Sequence, residues 1–198
     1  MRVEPVTLEG QHVRLEPLSL EHLDALWAVA DDPELWKFTT VNIRNREEMR
    51  AYIEEALQLS AAGTVIAFAT RDKKSDAIVG STRLADIQSH HRTMEIGWTW
   101  IARSHQRTAV NTEAKYLMLR HAFEKMDARR VMLKTDETNV RSRAAIARIG
   151  AKQEGILRNH MLVWGGRNRN SVVFSIIAEE WPEAKRNLEA KLAERAPV

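Results

Sequence analysis

Apolar residues in the middle of the chain follow first a strand pattern and then a helix pattern. Met94–Ile101 is rich in Trp, Ile and Thr, residue types that favour a covered β-strand. From Thr112 to Met126 the apolar residues fall on two adjacent stripes at helical spacing, which is typical of a helix packed between neighbours. Arg130–Thr135 is short and apolar and predicts a second strand. The stretch therefore predicts a strand–helix–strand unit with parallel strands.

The polar turn between the first of these strands and the helix predicts an anion-binding site. Gln106–Asn111 leads into the helix, and Asn111 is predicted to be its N-cap. The first amides of a helix are unpaired and carry partial positive charge, so they can bind a phosphate or pyrophosphate. In the first turn, Glu113 suits the helix dipole and is predicted to pair with Arg107 or Lys115. Because the turn has no glycine, an ordinary strand–helix connection is the open alternative.

The rest of the chain alternates between predicted strands and helices. Helices are predicted after Ser19, over Arg46–Ala61, after Asn139 and over about 181–195, and strands over His12–Leu18, Thr64–Thr70, Ile78–Ala85, Met161–Trp164 and Ser171–Ile177. Gly165-Gly166 indicates a hairpin between the last two strands, with Arg167-Asn-Arg169 as a solvated tip. The charged C-terminal helix is predicted to be peripheral and largely solvated. No linker interrupts the pattern, so a single α/β domain over 1–198 is expected.

Composition excludes several classes of protein. The chain has no cysteine, so thiolate metal sites and thiolate catalysis are excluded. Histidines and carboxylates are not clustered at ligand spacing, so no metal is predicted. No apolar run could cross a bilayer and no signal-peptide pattern is present, which makes the cytoplasm the expected location. The net charge of +3 is small and the basic residues are dispersed, which disfavours a nucleic-acid partner.

The order of these motifs resembles the GNAT N-acetyltransferases, and more narrowly their Rim-type branch. The resemblance covers nearly the whole chain and is carried by Trp36, Glu95-Ile-Gly-Trp98, Gln106–Asn111, Asn139-Val-Arg-Ser142, Gly150–Gly155 and Arg158. It implies a mixed α/β GNAT fold: a mostly antiparallel central sheet with one splayed parallel strand pair and flanking helices. It also implies acetyl-CoA as the cofactor, and it makes a homodimer a candidate assembly.

The resemblance assigns the cofactor-binding residues. The CoA pyrophosphate would bind main-chain amides of Gln106, Arg107, Thr108, Ala109, Val110, Asn111 and Thr112. Ala109 and Asn111 stand where the family's loop has Gly and then Gly or Ala, but backbone N–H groups can still be presented by small residues. The pantetheine arm would lie in the gap between the parallel strands, paired with backbone atoms of Trp100 and Ile101. Asn139 would both cap its helix and hold the amide arm.

Direct acyl transfer needs a proton acceptor for the amine and a group that stabilises the departing thiolate. Glu95 is the predicted base, and an ion pair with Arg83 or Arg92 is the alternative reading of this residue. Where many GNAT members have a Tyr acid, this chain has Ile146. Ser142 matches a serine that Rim-type enzymes present to the cofactor sulfur, and the alternative is that it only satisfies a first-turn amide.

The acceptor side is less defined by the sequence. Trp36, beside a loop, is the predicted substrate-binding aromatic residue, whereas His90 and His91 are interpreted as solvated and His160 as structural. The predicted function is transfer of acetyl from acetyl-CoA to a primary amine in a ternary complex, because no cysteine can carry an acyl group. A protein N-terminus, an amino acid, a polyamine and an antibiotic amine are all open as acceptors. A non-catalytic CoA-binding module and, on the high pI alone, a nucleic-acid binder are the alternatives.

Overall fold

The computed structural model describes residues 1–194. Its strands are β1 Leu8–Glu9, β2 Val13–Pro17, β3 Ile66–Asp72, β4 Ala77–Gln88, β5 Thr93–Ile101, β6 Arg130–Asp136, β7 Lys152–Leu162 and β8 Asn168–Ile177. Its α-helices are α1 Leu23–Ala30, α2 Arg46–Ala61, α3 Ala109–Glu124, α4 Val140–Arg148 and α5 Trp181–Ala193. Among these described residues, no helix has the length and apolar character needed to cross a membrane.

All eight strands belong to one sheet, in the order β1-β2-β3-β4-β5-β6-β8-β7. Neighbouring strands are antiparallel except β5 and β6, which are parallel and are joined by α3. The mixed, mostly antiparallel sheet with one parallel pair is therefore confirmed. A parallel pair needs a long crossover, and α3 provides it.

Helices cover both faces of this sheet. One hydrophobic cluster packs α3 and α5, through residues such as Leu117 and Leu188, against the strands. A second cluster packs α1 and α2, through residues such as Leu26 and Ile53, against strand residues that include Trp100. Both predicted stripes of α3 are buried, as expected for a helix wedged between neighbours: Ala114, Leu117, Met118, Leu119 and Ala122.

The parallel strands part soon after they begin. Thr93–Glu95 of β5 pairs with Arg130–Met132 of β6, and the described strands pair no further although both continue. A β-bulge lies at this point: the register between β4 and β5 shifts, and Trp98 has a left-handed φ of 49°. A bulge bends a strand and increases its twist, so it accounts for the divergence of β5 from β6. The predicted splayed pair is present.

The start of α3 differs from the prediction. Thr108, not Asn111, is the N-cap, because its Oγ1 accepts a hydrogen bond from the Val110 amide. The helix therefore begins at Ala109 instead of Thr112. Thr and Asn are comparable N-cap residues, so composition could not choose between the two positions. The left-handed φ of 65° at Arg107 turns the chain one residue before the cap and sets the earlier start.

Two elements near the C-terminus also differ. β7 extends over Lys152–Leu162, far beyond the predicted Met161–Trp164, because an exposed edge strand shows no apolar alternation. The Gly165-Gly166 turn does join β7 to β8, as predicted. Most residues of α5 are exposed, but one face packs on the core: Trp181 is buried and stacks on Phe123 of α3, with ring centroids 5.4 Å apart. The predicted helix end at 195 lies outside the described residues.

Candidate active site

A cleft of about 930 Å³ opens where β5 and β6 part, a volume suited to a cofactor and a small acceptor. It runs from the α1–α2 connection, past the middle of β5, to the first turns of α3 and α4. Most of the predicted site residues line it: Trp36, Glu95, Trp100, Ile101, Gln106, Arg107, Thr108, Asn111, Thr112, Asn139 and Ser142. Ala109 and Val110 are not among the lining residues, and Val110 is buried in the core cluster.

The end of the cleft at α3 is strongly basic. Arg103, Arg107, Arg141 and Arg148 line it around the first turn of the helix. Helix geometry leaves first-turn amides without intrahelical partners, and here the Val110 amide is already bonded to the Thr108 side chain at 3.3 Å. The guanidinium groups and the helix start together form a region of positive potential that suits phosphate groups.

Gln106 connects the two helices at this end to β5. Its Nε2 donates to the Ile101 carbonyl at 3.1 Å, and its Oε1 accepts a hydrogen bond from Arg141 of α4. The glutamine therefore fixes the shape of the turn through its side chain. Arg141 was not singled out in the sequence, although it lies next to Ser142 in the motif that suggested the family.

Glu113 does not pair with Arg107 or Lys115, which corrects that prediction. Its carboxylate is buried and accepts the backbone N–H groups of Gln11, His12 and Val13 at 2.8, 2.6 and 2.8 Å. A Cβ at Gly10 would lie 2.3 Å from the Glu113 Cδ, so only glycine fits there. The charge that looked unfavourable beside a pyrophosphate is instead neutralised by three amides at the start of β2.

Asn139 caps α4, as predicted: its Oδ1 accepts the Ser142 amide at 3.0 Å. The first-turn amide is thus satisfied by Asn139 and not by the Ser142 hydroxyl, which removes the structural role proposed for that hydroxyl. Ser142 is half-buried on the wall of the cleft. Because Asn139 uses its carbonyl oxygen for the cap, its side-chain N–H₂ group is the part that can bind a ligand.

Glu95 lies at the point where the strands separate and is 5% exposed. Its partner is Lys134 of β6, with Nζ 2.7 Å from Oε2, and not Arg83 or Arg92 as the alternative reading held. Arg83 pairs with Glu55 of α2, and Arg92 pairs with a carboxylate beyond α3. Burial raises the pKa of Glu95 above its usual value, against the opposing effect of Lys134. A buried carboxylate with a raised pKa is suited to accept a proton.

A second buried charge, missed in the sequence, lies on the α3 side of β5. Lys115 is 7% exposed and lines the cleft. Its Nζ donates to Thr99 Oγ1 at 2.5 Å and to Thr82 Oγ1 at 3.2 Å. Burial lowers the pKa of Lys115 to about 7, so this amine is partly uncharged at neutral pH. The signal available in the sequence was a lysine flanked by apolar positions on both stripes of the helix.

Aromatic residues form the opposite end of the cleft. The Trp36 side chain is 1% exposed, lies with its ring centroid 5.2 Å from that of Trp100, and donates to the Ala30 carbonyl. The carbonyl of Trp100 faces β4, since a Cβ on Gly80 would lie 2.1 Å from it. The carbonyl of Ile101 instead meets the Gln106 side chain at the cleft. Binding of an acceptor by Trp36, and of the pantetheine arm by Trp100 and Ile101, stays a prediction.

The β7–β8 hairpin closes over this aromatic end. Trp164 Nε1 donates to the Trp36 carbonyl at 2.8 Å, which joins segments 128 residues apart. His160 of β7 also lines the cleft, and its Nδ1 shares a hydrogen bond with Ser171 Oγ at 2.9 Å. His90 and His91 lie in an exposed turn, as expected. Within residues 1–194, no three histidine or carboxylate side chains are grouped to hold a metal ion.

Arg169 was interpreted as part of a solvated hairpin tip, and that interpretation is wrong. It is 7% exposed on β8 and lines the cleft near Glu95 and Lys134. Arg167 of the same segment is exposed and pairs with the buried carboxylate of Asp136 at 2.7 Å. The short spacing from Gly165-Gly166 suggested a turn, but β8 begins at Asn168, so Arg169 is already a strand residue.

This fold, with its splayed parallel strand pair, is that of an acetyltransferase family. The chain belongs to the GNAT family, because the protein-family model described as "Acetyltransferase (GNAT) domain" matches its residues 12–152. The "Putative ribosomal N-acetyltransferase YdaF" of Bacillus subtilis (strain 168) is 30% identical over 109 residues, which cover 55% of this chain and 58% of YdaF. The chain thus spans little more than half the length of that relative.

Solved structures agree with this assignment. A GCN5-related N-acetyltransferase from Brucella melitensis is 32% identical over 94% of this chain and 85% of its own, with a TM-score of 0.87. Mycobacterium smegmatis RimJ in complex with CoA-disulfide has a TM-score of 0.84 over 96% of both chains; at 23% identity it shows a shared fold. The GNAT resemblance of the sequence is confirmed, and a Rim-type protein is among the matched structures.

Proposed function

We propose that this protein transfers an acetyl group from acetyl-CoA to a primary amine, by direct attack in a ternary complex. The observation that carries the proposal is the single cleft that follows the splayed strands. It connects a basic helix start, a half-buried serine and a buried carboxylate in that order. Membership of the GNAT family supports acetyl-CoA as the donor.

In the proposed complex the pyrophosphate binds at the start of α3, among Arg103, Arg107 and Arg141. The arm then lies in the gap between β5 and β6, held by Asn139. This places the thioester between Ser142 on one wall and Glu95 on the other. The loop lacks the glycines that would let the backbone approach the pyrophosphate closely. The guanidinium groups compensate, because they attract the negatively charged phosphates.

The proposed reaction has three steps. The amine nitrogen attacks the thioester carbonyl carbon, Glu95 accepts the proton that nitrogen loses, and the carbon–sulfur bond breaks. The Ser142 hydroxyl donates a hydrogen bond to the departing thiolate. Glu95 then releases its proton to water, and the thiolate takes up one proton from water to give the CoA thiol, so both groups return to their starting states. Lys134 favours the ionised form of Glu95, because its charge opposes the effect of burial on the pKa.

A protein N-terminus or a small-molecule amine is the proposed acceptor. The similarity to YdaF, whose name refers to ribosomal N-acetylation, supports the first. A non-catalytic CoA-binding module is the second candidate, favoured by Ile146 where many GNAT members have a tyrosine and by the glycine-free loop. The homodimer and the cytoplasmic location stay predictions.

The test is release of free thiol from acetyl-CoA in the presence of a panel of peptides and small amines. We expect Glu95→Gln to lower kcat by about 100-fold or more, because a positioned base contributes at least that much. We expect Ser142→Ala to lower kcat by about 100-fold, the lower end of what loss of one donor to developing charge costs. Ser89→Ala, in an exposed turn, is the matched control.

Calorimetry with CoA separates the two candidate functions. Tight binding of CoA without thiol release on any acceptor would support the binding module and refute the enzyme. Thiol release that is unaffected by both substitutions would keep the activity but remove these residues from it.

A further inference from the structure

Arg169 is a buried guanidinium whose place in the cleft is not explained by acetyl-CoA binding. It lies with Glu95 and Lys134, whereas the arginines suited to phosphate lie at the other end, around the start of α3. Its Nε donates to Ser171 Oγ at 3.0 Å, and that hydroxyl also bonds His160. The contact at Nε fixes the orientation of the guanidinium. Its two Nη groups lie on the other side of the planar group and point away from Ser171.

The carboxylates around Arg169 are already paired with other cations. Glu95 pairs with Lys134 at 2.7 Å, and Asp136 pairs with Arg167 at 2.7 Å. Among residues 1–194, no carboxylate oxygen lies within ion-pair distance of Arg169. Burial lowers the pKa of Arg169, and the fields of Asp136 and Glu95 oppose this effect. Arg169 is thus a buried cation with no carboxylate of its own at ion-pair distance.

From this geometry we infer that Arg169 binds a carboxylate of the acetyl acceptor, so that the preferred acceptor is an amine carrying a carboxylate a few bonds away. The inference rests on the proposed function, whose base Glu95 would face the amine of the same molecule. A guanidinium held by Nε presents two parallel N–H donors that match a carboxylate. Pairing with the acceptor would also remove the cost of a buried cation without a counter-ion.

Two sources of such a carboxylate are possible, a free amino acid or an acidic residue near a peptide N-terminus. The first pair of probes is L-alanine and L-alaninamide. The second pair is the tetrapeptide amides Ala-Glu-Ala-Ala and Ala-Gln-Ala-Ala, whose N-terminal amines are the same. Rates are compared at the same concentration of unprotonated amine, because an amide raises the acidity of the neighbouring ammonium group.

We expect the carboxylate-bearing member of at least one pair to be preferred by about tenfold or more in kcat/KM, since a site built for a polar group discriminates against its absence. The pair that shows the preference identifies the source. Arg169→Gln should abolish the preference and Arg169→Lys should retain part of it. Arg186→Gln, which removes an exposed guanidinium on α5 outside the cleft lining, should leave it unchanged.

The wild-type comparison needs no variant and so does not depend on whether Arg169→Gln folds. Turnover of both members of both pairs at equal rates would overturn the inference and leave the proposed function intact. If no thiol is released from any acceptor, the proposed function fails instead. Calorimetric binding of the same pairs to the CoA-loaded protein then decides: preference for the carboxylate, lost in Arg169→Gln, supports the anion site, and equal or no binding refutes it.

Discussion

Two opposing effects act on the pKa of Glu95, its own burial and the charge of Lys134. The carboxylate is 5% exposed, so burial raises its pKa, while the Lys134 ammonium 2.7 Å away lowers it. Asp86 lies 3.9 Å from the same ammonium, is exposed, and weakly favours the protonated form of Glu95. Burial is the larger of these effects, so the carboxylate is more basic than an exposed glutamate.

The first prediction follows from removal of Lys134. In Lys134→Met, burial acts on Glu95 without its counter-ion, so the pKa of Glu95 should rise further. The base works only when deprotonated, so kcat falls as pH decreases through this pKa. The acidic limb of the pH–kcat profile should therefore move to higher pH in the variant, which steady-state kinetics from pH 5.5 to 9 would measure.

Lys152→Met is the control for this experiment. Lys152 lies on the edge strand β7, outside the cleft, and pairs with Glu180 just before α5. Its pH profile should coincide with that of the wild type. An acidic limb that stays in place in Lys134→Met would show that a group other than Glu95 accepts the proton.

At the scale of elements, the position of α3 depends on a contact far away in sequence. Glu113, in the second turn of the helix, accepts three amides from the segment leading into β2. Such a cluster of charge-assisted hydrogen bonds fixes the helix both along its axis and around it. Because the first turn of α3 lies at the proposed pyrophosphate site, this anchor also sets where the phosphate groups can bind.

Glu113→Gln is expected to destabilise the protein by about 2–3 kcal/mol, because a neutral amide replaces the charged acceptor and turns a donor toward amide donors. Denaturant unfolding measures the change in stability. Affinity for CoA, measured by calorimetry, should also weaken. Glu183→Gln, at an exposed position in the first turn of α5, should change stability by less than about 0.5 kcal/mol. A loss no larger in Glu113→Gln than in this control would contradict the anchor.

The elements themselves were largely predictable, since their signals are local. Residues close together in sequence determine the strand–helix–strand unit, the cap by Asn139 and the Gly165-Gly166 hairpin. The N-cap of α3 was misplaced by one turn because Thr108 and Asn111 offer similar oxygens. The edge strand β7 was mostly missed because neither of its faces is buried, so it has no apolar alternation to detect.

The site was predictable only where a motif marked it. Asn139, Ser142 and Gln106 come from ordered motifs, and all three line the cleft. The partners of Glu95 and Glu113 were mispredicted because they come from strands distant in sequence, and Coulomb attraction alone cannot choose among many nearby cations. Arg169 was missed because β8 begins at Asn168, three residues before the predicted Ser171, and this difference decides between an exposed tip and a buried wall.

At the scale of the whole molecule, the cleft is bounded by segments from both ends of the chain. The hydrogen bond from Trp164 Nε1 to the Trp36 carbonyl joins the β7–β8 hairpin to the α1–α2 connection. Trp164 is 43% exposed, and its hydrogen bond adds a directional contact between the two sides of the cleft. This tie narrows the end of the cleft at which we place the acceptor.

Trp164→Phe keeps one aromatic ring and removes the Nε1–H donor together with part of the indole surface. Loss of one neutral hydrogen bond is worth about 1 kcal/mol, so opening of the tie should become roughly fivefold more frequent. Hydrogen exchange should then accelerate together in two separate segments, residues 160–170 and 36–43, while peptides from α3 keep their rates. Leu162→Ala, at a hairpin position that is 75% exposed, should change neither segment. Faster exchange in the hairpin alone would show that the two sides open independently and that the hydrogen bond does not couple them.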